Sequence, residues 1–203
     1  MKITDTDRAR IVEAIAAAEK RTSGEIVAIV TAASDDYRHL PLLWAAAAAL
    51  IVPLVLINLG GWPVQSVYLA QLGVFAVLAV VLSLAPVRRY IVPRALGRRR
   101  AHRLAVDQFL AQNLHTTEGR TGVMIFVSTA ERYAEIVADE GIYRKADRSV
   151  WDDAVAALTS EIAAGRVGEG FERAIKTCGA VLAEHFPAGK DNHDELPNRL
   201  IVL

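Results

Sequence analysis

Apolar residues fall along this chain in three patterns, and each predicts a different kind of element. Behind Thr4 and Asp5, either of which can cap a helix, Ile11, Ile15 and Ala18 recur at helical spacing until Thr22-Ser23-Gly24 ends the run. Glu25 to Thr31 follows as a strand whose core, Ile26-Val27-Ala28-Ile29-Val30, is apolar on both faces, as in a central strand covered by helices on each side. Gly122 to Ser128 repeats that pattern. A helix over Ala95 to Leu114 lies between the two runs, so they are expected to be parallel or separated by one strand. Its apolar positions Leu104, Val106, Phe109 and Leu110 occupy only the second half, so the first half is expected at a membrane surface. Tyr133 to Asp139 alternates Ala134, Ile136 and Ala138 against Glu135, Val137 and Asp139, which predicts an antiparallel hairpin partner with one solvated face. Trp151, Val155, Leu158 and Ile162, then Phe171, Ile175, Cys178 and Leu182, make the stripes of two closing helices.

The third pattern is uninterrupted. Leu42 to Leu59 and Val67 to Ala85 carry no charge, and at helical rise each crosses roughly 27 Å of hydrocarbon. A buried helical hairpin in a soluble protein is the alternative, but a core helix normally keeps a polar face, and here Asn58 and Gln71 are the amides that interrupt. The reading is therefore a membrane hairpin. Gly60-Gly61-Trp62-Pro63 forms its turn and places an aromatic at headgroup depth, and Pro53 is expected to kink the first span.

Charge orients the hairpin. Arg88, Arg89, Arg94, Arg98, Arg99, Arg100 and Arg103 follow the second span while the connector has no charge, so the positive-inside rule predicts an integral membrane protein with both termini and the soluble domain cytoplasmic. Met1-Lys2-Ile3-Thr4-Asp5 leads into a polar, charged helix, so no secretory signal is expected. The single cysteine, Cys178, excludes an internal disulfide, suits a reducing compartment and reads as a core residue. Net charge is zero over 203 residues, but it is segregated. The arginine stretch adjoins a bilayer and lacks interleaved aromatics other than Tyr90, which points to the bilayer and its anionic headgroups, not to nucleic acid.

The expected organisation is a first domain segment over 1–38, the hairpin over 39–87, a basic juxtamembrane segment over 88–103, a second domain segment over 104–187, and a polar linker with an apolar tail over 188–203. In this order stand Thr22-Ser23-Gly24-Glu25-Ile26-Val27, Thr121-Gly122-Val123-Met124-Ile125-Phe126-Val127, Arg132-Tyr133-Ala134-Glu135-Ile136-Val137 and Ala164-Gly165-Arg166-Val167-Gly168-Glu169-Gly170-Phe171. The set resembles the TPM domain family, named after a thylakoid lumen protein, a photosystem II repair protein and a nematode modulator of acetylcholine receptors. The resemblance runs from the first helix to about Phe186, apart from the hairpin. It implies an α/β fold, a three-layer sandwich with a mixed central β-sheet between helices. It also implies one of two functions: a phosphatase or divalent-cation binder, or an accessory factor for assembling or repairing membrane complexes.

Departures from the family weigh on that choice. Where relatives often carry Asp-Asn-Gly before the second strand this chain has Arg120-Thr121-Gly122, and Gly165-Arg166-Val167 stands for Gly-Asp-Tyr. Arginines thus replace carboxylates that could hold a hard cation. The remaining acidic candidates are Asp35 and Asp36 after the first strand and Asp139 and Glu140 at the end of the third. If the pairs converged, they could bind Ca2+ or Mg2+ and present a phosphate ester to water; otherwise they are solvated loop acids. His185 reads as a helix-end histidine, Asp191 to Glu195 as a solvated linker, and Gly165, Gly168 and Gly170 as a helix stop. No phosphate loop, paired cysteines or nucleophile motif is present. The expected role is an accessory or assembly factor, with a membrane-bound phosphatase as the alternative.

The chain ends on Leu200-Ile201-Val202-Leu203, four apolar residues that an exposed terminus should avoid. They are expected to pack on their own domain, dip into the interface, or bind a membrane-protein partner or a second copy by strand addition.

Overall fold

The computed structural model describes residues 3–84, 87, 90–117, 119–145, 147–189 and 196–203. The chain is mixed α/β and divides into two compact units, Met1–Ser34 with Arg98–Leu203, and Asp35–Gly97.

The first unit opens on helix α1 (Asp5–Glu19). Thr4, one of the two expected caps, takes the role: its hydroxyl accepts the Asp7 N–H at 3.1 Å and the Asp7 carboxylate accepts the Thr4 N–H at 3.0 Å, a reciprocal capping box. The Thr4 hydroxyl bond holds the Asp7 carboxyl below its usual range, with the Thr4 and Gly168 N–H groups and Arg10 adding to the effect. A carboxyl depressed in the folded state contributes stability above its unfolded value and loses that contribution as pH falls. Thr4→Ala should therefore cost about 1 kcal/mol at neutral pH. The difference from wild type should shrink below roughly pH 4, where unfolded aspartate protonates. Denaturant melts at both pH values check it.

Strands β1 (Glu25–Thr31) and β2 (Gly122–Ser128) have the expected bounds and are buried along their whole length. They are adjacent and parallel, Glu25 opposite Gly122 and Thr31 opposite Ser128. Strand β3 (Tyr133–Ala138) pairs antiparallel with β2, and the sheet order is β3-β2-β1-β4, where β4 (Leu200–Val202) lies parallel to β1. The remaining helices of the unit are α4 (Arg94–Ala111, from Arg98 onward), the short α5 (Glu140–Tyr143), α6 (Arg148–Ala163) and α7 (Val167–His185).

Strand alternation builds two cores. On one face Ile26, Ala28 and Val30 with Val123, Ile125 and Val127 meet Ile11 and Ile15 of α1, Leu158 of α6, and Phe171, Ile175, Cys178 and Leu182 of α7. On the other, Val27, Ile29, Met124 and Phe126 meet Ala101, Ala105 and Phe109 of α4 and the Leu114 side chain. Burial pushes the Cys178 thiol up to about 12, so it stays an inert core group.

Two expectations change here, and the alternatives for the tail are narrowed. Strand β3 has no fully solvated face: all six residues are half-buried, because Tyr133 and Val137 pack against the second core while Ala134, Ile136 and Ala138 pack against the first. Helix α4 docks on the sheet from Ala101, not from Leu104, using alanines that let helix and sheet approach closely; Val106 and Leu110, expected to pack, are exposed. The tail takes the first of its alternatives, packing on its own domain: Leu200–Val202 closes the second edge of β1 with Ala28 opposite Leu200 and Val30 opposite Val202. The physical reason is that β1 is apolar on both faces and would otherwise expose a row of unpaired backbone groups. Leu203 N–H donates to the Val30 carbonyl at 2.9 Å and the Arg8 guanidinium to the Leu200 carbonyl at 3.2 Å.

The second unit holds helices α2 (His39–Leu59) and α3 (Val64–Ser83), against expected spans of 42–59 and 67–85. They pack along each other, joined by Gly60 and Gly61, both at positive φ. Pro53 lies inside α2; Asn58 satisfies its amide on the Leu54 carbonyl at 2.7 Å and Ser83 its hydroxyl on the Ala79 carbonyl at 2.6 Å. Both helices are long and apolar enough to cross a membrane. Their side chains are largely uncovered: α3 has no buried residue, and Leu50 and Ile57 of α2 are each 69% exposed.

Candidate functional site

The two acidic pairs follow from opposite ends of the sheet. Because β1 and β2 run parallel, the chain leaves β1 at the sheet end formed by Thr31, Ser128 and Tyr133, and Asp35 and Asp36 follow within a few residues. Strand β3 runs the other way, so Asp139 and Glu140 arrive at the opposite end, where the Asp139 N–H donates to the Gly122 carbonyl at 3.0 Å. A seven-residue strand separates the two ends, roughly 20 Å. In the second unit Asp36 pairs with Arg38 at 3.1 Å, and Asp35 accepts the Tyr37 N–H at 3.4 Å.

The end holding Asp139 gains an acid that the sequence reading missed. Glu25 opens β1 directly across from Gly122, and Glu25 and Asp139 are both buried. Gly122 thus lies between two acidic positions in one row across three strands. It must be glycine, since a Cβ would run into the Leu114 carbonyl oxygen. The Asp139 Oδ1 accepts the Glu140 N–H at 2.6 Å and caps α5, while its buried Oδ2 has no partner among the described residues. Glu140 is exposed and pairs with Arg144.

A hard cation takes six or more oxygens. No group of three acidic, histidine or cysteine side chains gathers here or elsewhere among the described residues, and Arg120 sits at φ 52° with its guanidinium on the His115 carbonyl at 3.1 Å. This donor set does not fit Ca2+ or Mg2+. The acidic row reads as a cap, and Asp139→Asn tests that. Asparagine retains the cap, so the melting midpoint should hold, whereas Asp139→Ala should cost about 1 kcal/mol.

At the other sheet end lies a clasp that no sequence pattern announced. The Ser34 hydroxyl donates to that of Ser128 at 2.9 Å, Ser128 donates to the Glu131 carboxylate, and Glu131 accepts the Ser34 N–H at 3.0 Å. Thr129 and Ala130 N–H groups continue onto the Thr31 and Ala32 carbonyls at 3.1 and 3.0 Å. Together they fix the point where the chain departs for the hairpin.

The comparisons bear on the fold. The chain is similar to the BA42 protein from the psychrophilic bacterium Bizionia argentinensis, solved by NMR. The likeness has a TM-score of 0.62 at 21% identity, over 100% of this chain and 97% of that one. At that identity the BA42 likeness speaks for the fold alone. No protein-family model and no curated protein matches the chain.

The basic candidates divide. Arg94 stands at the start of α4 in the second unit, while Arg98, Arg99 and Arg100 belong to the first unit, with Arg98 and Arg99 exposed and Arg100 half-buried. Arg88 and Arg89, with the run 191–195, lie outside the described residues. Across from α4, Glu135 of β3 accepts the Tyr133 hydroxyl at 2.9 Å and meets His102 Nδ1 at 3.0 Å. Burial, reinforced by Glu135, raises the Tyr133 phenol well above its usual value, against a weaker opposing effect of Arg98. Of the partner candidates, Leu200 is buried in the first core and Ile201 packs against the second; only Val202 and Leu203 remain about half exposed.

Proposed function

We propose that this chain is a membrane-tethered member of the TPM domain family, a three-layer α/β sandwich serving as an accessory or assembly factor for a membrane complex. The observation that carries the tether is the exposure of α2 and α3. Two uncharged helices of 21 and 20 residues leave most of their apolar side chains uncovered, and a soluble protein rarely tolerates so large a patch. Arg88, Arg89, Arg94 and Arg98 to Arg100 follow at once, which supports a cytoplasmic placement of the α/β unit with its arginines against anionic headgroups. The division of the acidic pairs between opposite sheet ends favours the accessory role over hydrolysis.

The test uses the full chain in its native membrane. It should resist alkaline carbonate extraction, and its removal should shift one membrane complex to smaller species on a native gel while Asp139→Asn leaves that complex intact. Extraction into the soluble fraction would refute the tether. Phosphate-ester turnover by the purified chain, abolished in Asp139→Asn, would refute the accessory role and favour the phosphatase.

A further inference from the structure

Helix α4 turns a row of cations to solvent from the same turns that pack Ala101 and Ala105 onto the sheet. Arg98 and Arg99 stand four and three residues before His102, hence on one helix face with it, and all three are exposed. Neither arginine has a hydrogen-bond or ion-pair partner among the described residues, and Arg98 acts electrostatically on the Tyr133 phenol. The histidine is different. Both oxygens of Glu135 lie 3.0 Å from its Nδ1, and the Tyr133 hydroxyl holds Glu135 in turn at 2.9 Å. That contact turns the ring so that Nε2 points away from the carboxylate, and the His102 side chain is 57% exposed.

The groups facing His102 are Arg98 and Arg99 on its own helix and Tyr133 and Glu135 on β3. One carboxylate, already engaged by two donors, is set among three nitrogen-bearing side chains. The geometry points to a binding site for a phosphomonoester headgroup on this face of α4, formed by Arg98, Arg99 and His102 with Glu135 as the positioning residue for the imidazole.

Charge and donor geometry favour the monoester over a diester. A terminal phosphate presents three oxygens and takes a second negative charge with an ionisation near pH 6, whereas a diester stops at one charge. Guanidinium groups bind such oxygens in forked pairs, and a carboxylate-held imidazole adds a directed donor from Nε2 once protonated. Arginines alone would accept any anionic lipid; the oriented histidine is what makes the surface selective. The inference rests on the membrane tether proposed above, since α4 follows the hairpin directly along the chain.

The full chain in phosphatidylcholine nanodiscs is titrated with short-chain phosphatidic acid and, separately, short-chain phosphatidylglycerol, reading affinity and the His102 ring resonances. Phosphatidic acid should bind about ten-fold more tightly and shift those resonances. His102→Gln should abolish the preference with phosphatidylglycerol affinity unchanged, Arg98→Gln with Arg99→Gln should weaken both lipids, and Glu135→Gln should reduce the preference. Equal affinities in the wild type, or a preference that survives His102→Gln, would overturn the site. Inorganic phosphate should compete only far above the lipid concentration; competition at equal concentration would overturn the lipid assignment in favour of soluble phosphate esters. Carbonate extraction separates the two failures: a chain that stays in the membrane but shows no preference loses only this inference.

Discussion

Replacing Gly122 by alanine should destabilise the α/β unit by about 3 kcal/mol, the upper end of the cost of overpacking a well-filled interior. The new methyl would meet the carbonyl oxygen, carbonyl carbon and Cβ of Leu114, so the obstacle is largely backbone and cannot swing aside. Leu114 is itself fully buried, in the turn Leu114–Thr116 that leads from α4 into β2, so moving it disturbs the second core as well. Chemical denaturation of the full chain in neutral detergent, followed by the near-ultraviolet signal of Trp151, gives the value. A change below about 0.5 kcal/mol, the usual range for surface substitutions, would show that the turn can yield.

Deleting Leu200 to Leu203 should be comparably severe, roughly 3 kcal/mol. The estimate combines the burial of one leucine with the backbone bonds lost along β1. The deletion removes Leu200 from the first core, abolishes the β4 pairing and opens an edge of β1, a strand buried along its whole length. The shortened chain should therefore lose stability and self-associate in proportion to its concentration. A free partner-binding tail predicts the reverse, a stable domain that has lost only a complex. A melt and a light-scattering series on the deletion decide between them.

How much of this was legible beforehand follows from which residues report on local and which on distant structure. Glu25 to Thr31 and Gly122 to Ser128 were fixed to the residue because a strand apolar on both faces, bounded by glycine and threonine, has few other readings. The helices of the hairpin were legible for the same reason, and their ends moved by only a few residues. Strand β3 misled because its Glu135 and Tyr133 look solvent-directed, yet each is engaged by the other and Glu135 also by His102 of α4, 33 residues away. The tail escaped because three residues of β4 cannot reveal that β1 has an edge to fill. Ser34, Ser128 and Glu131 escaped for a similar reason: 94 residues separate the two serines, and no spacing rule spans that interval. Asp35, Asp36, Asp139 and Glu140 were visible as acids, but their division between opposite sheet ends depends on β3 being antiparallel.

The hairpin also changes what it costs to bring β1 and β2 together. These neighbours in the sheet are about 90 residues apart, and a flexible chain of that length would resist closure by an entropy that grows with the logarithm of its length. Most of the interval is not flexible. Helices α2 and α3 run back along each other, and the Trp44 indole donates to the Ile91 carbonyl at 3.3 Å, so the outgoing and returning strands of chain meet at the base of the insertion. Once that pair has formed, the effective loop shrinks to about half its length, because Ala32 to Leu43 and Val92 to Thr121 still lie outside it. Halving the loop lowers the cost of closing the parallel strand pair by about 0.6 kcal/mol, so a chain whose helices are kept apart should reach its native sheet somewhat more slowly.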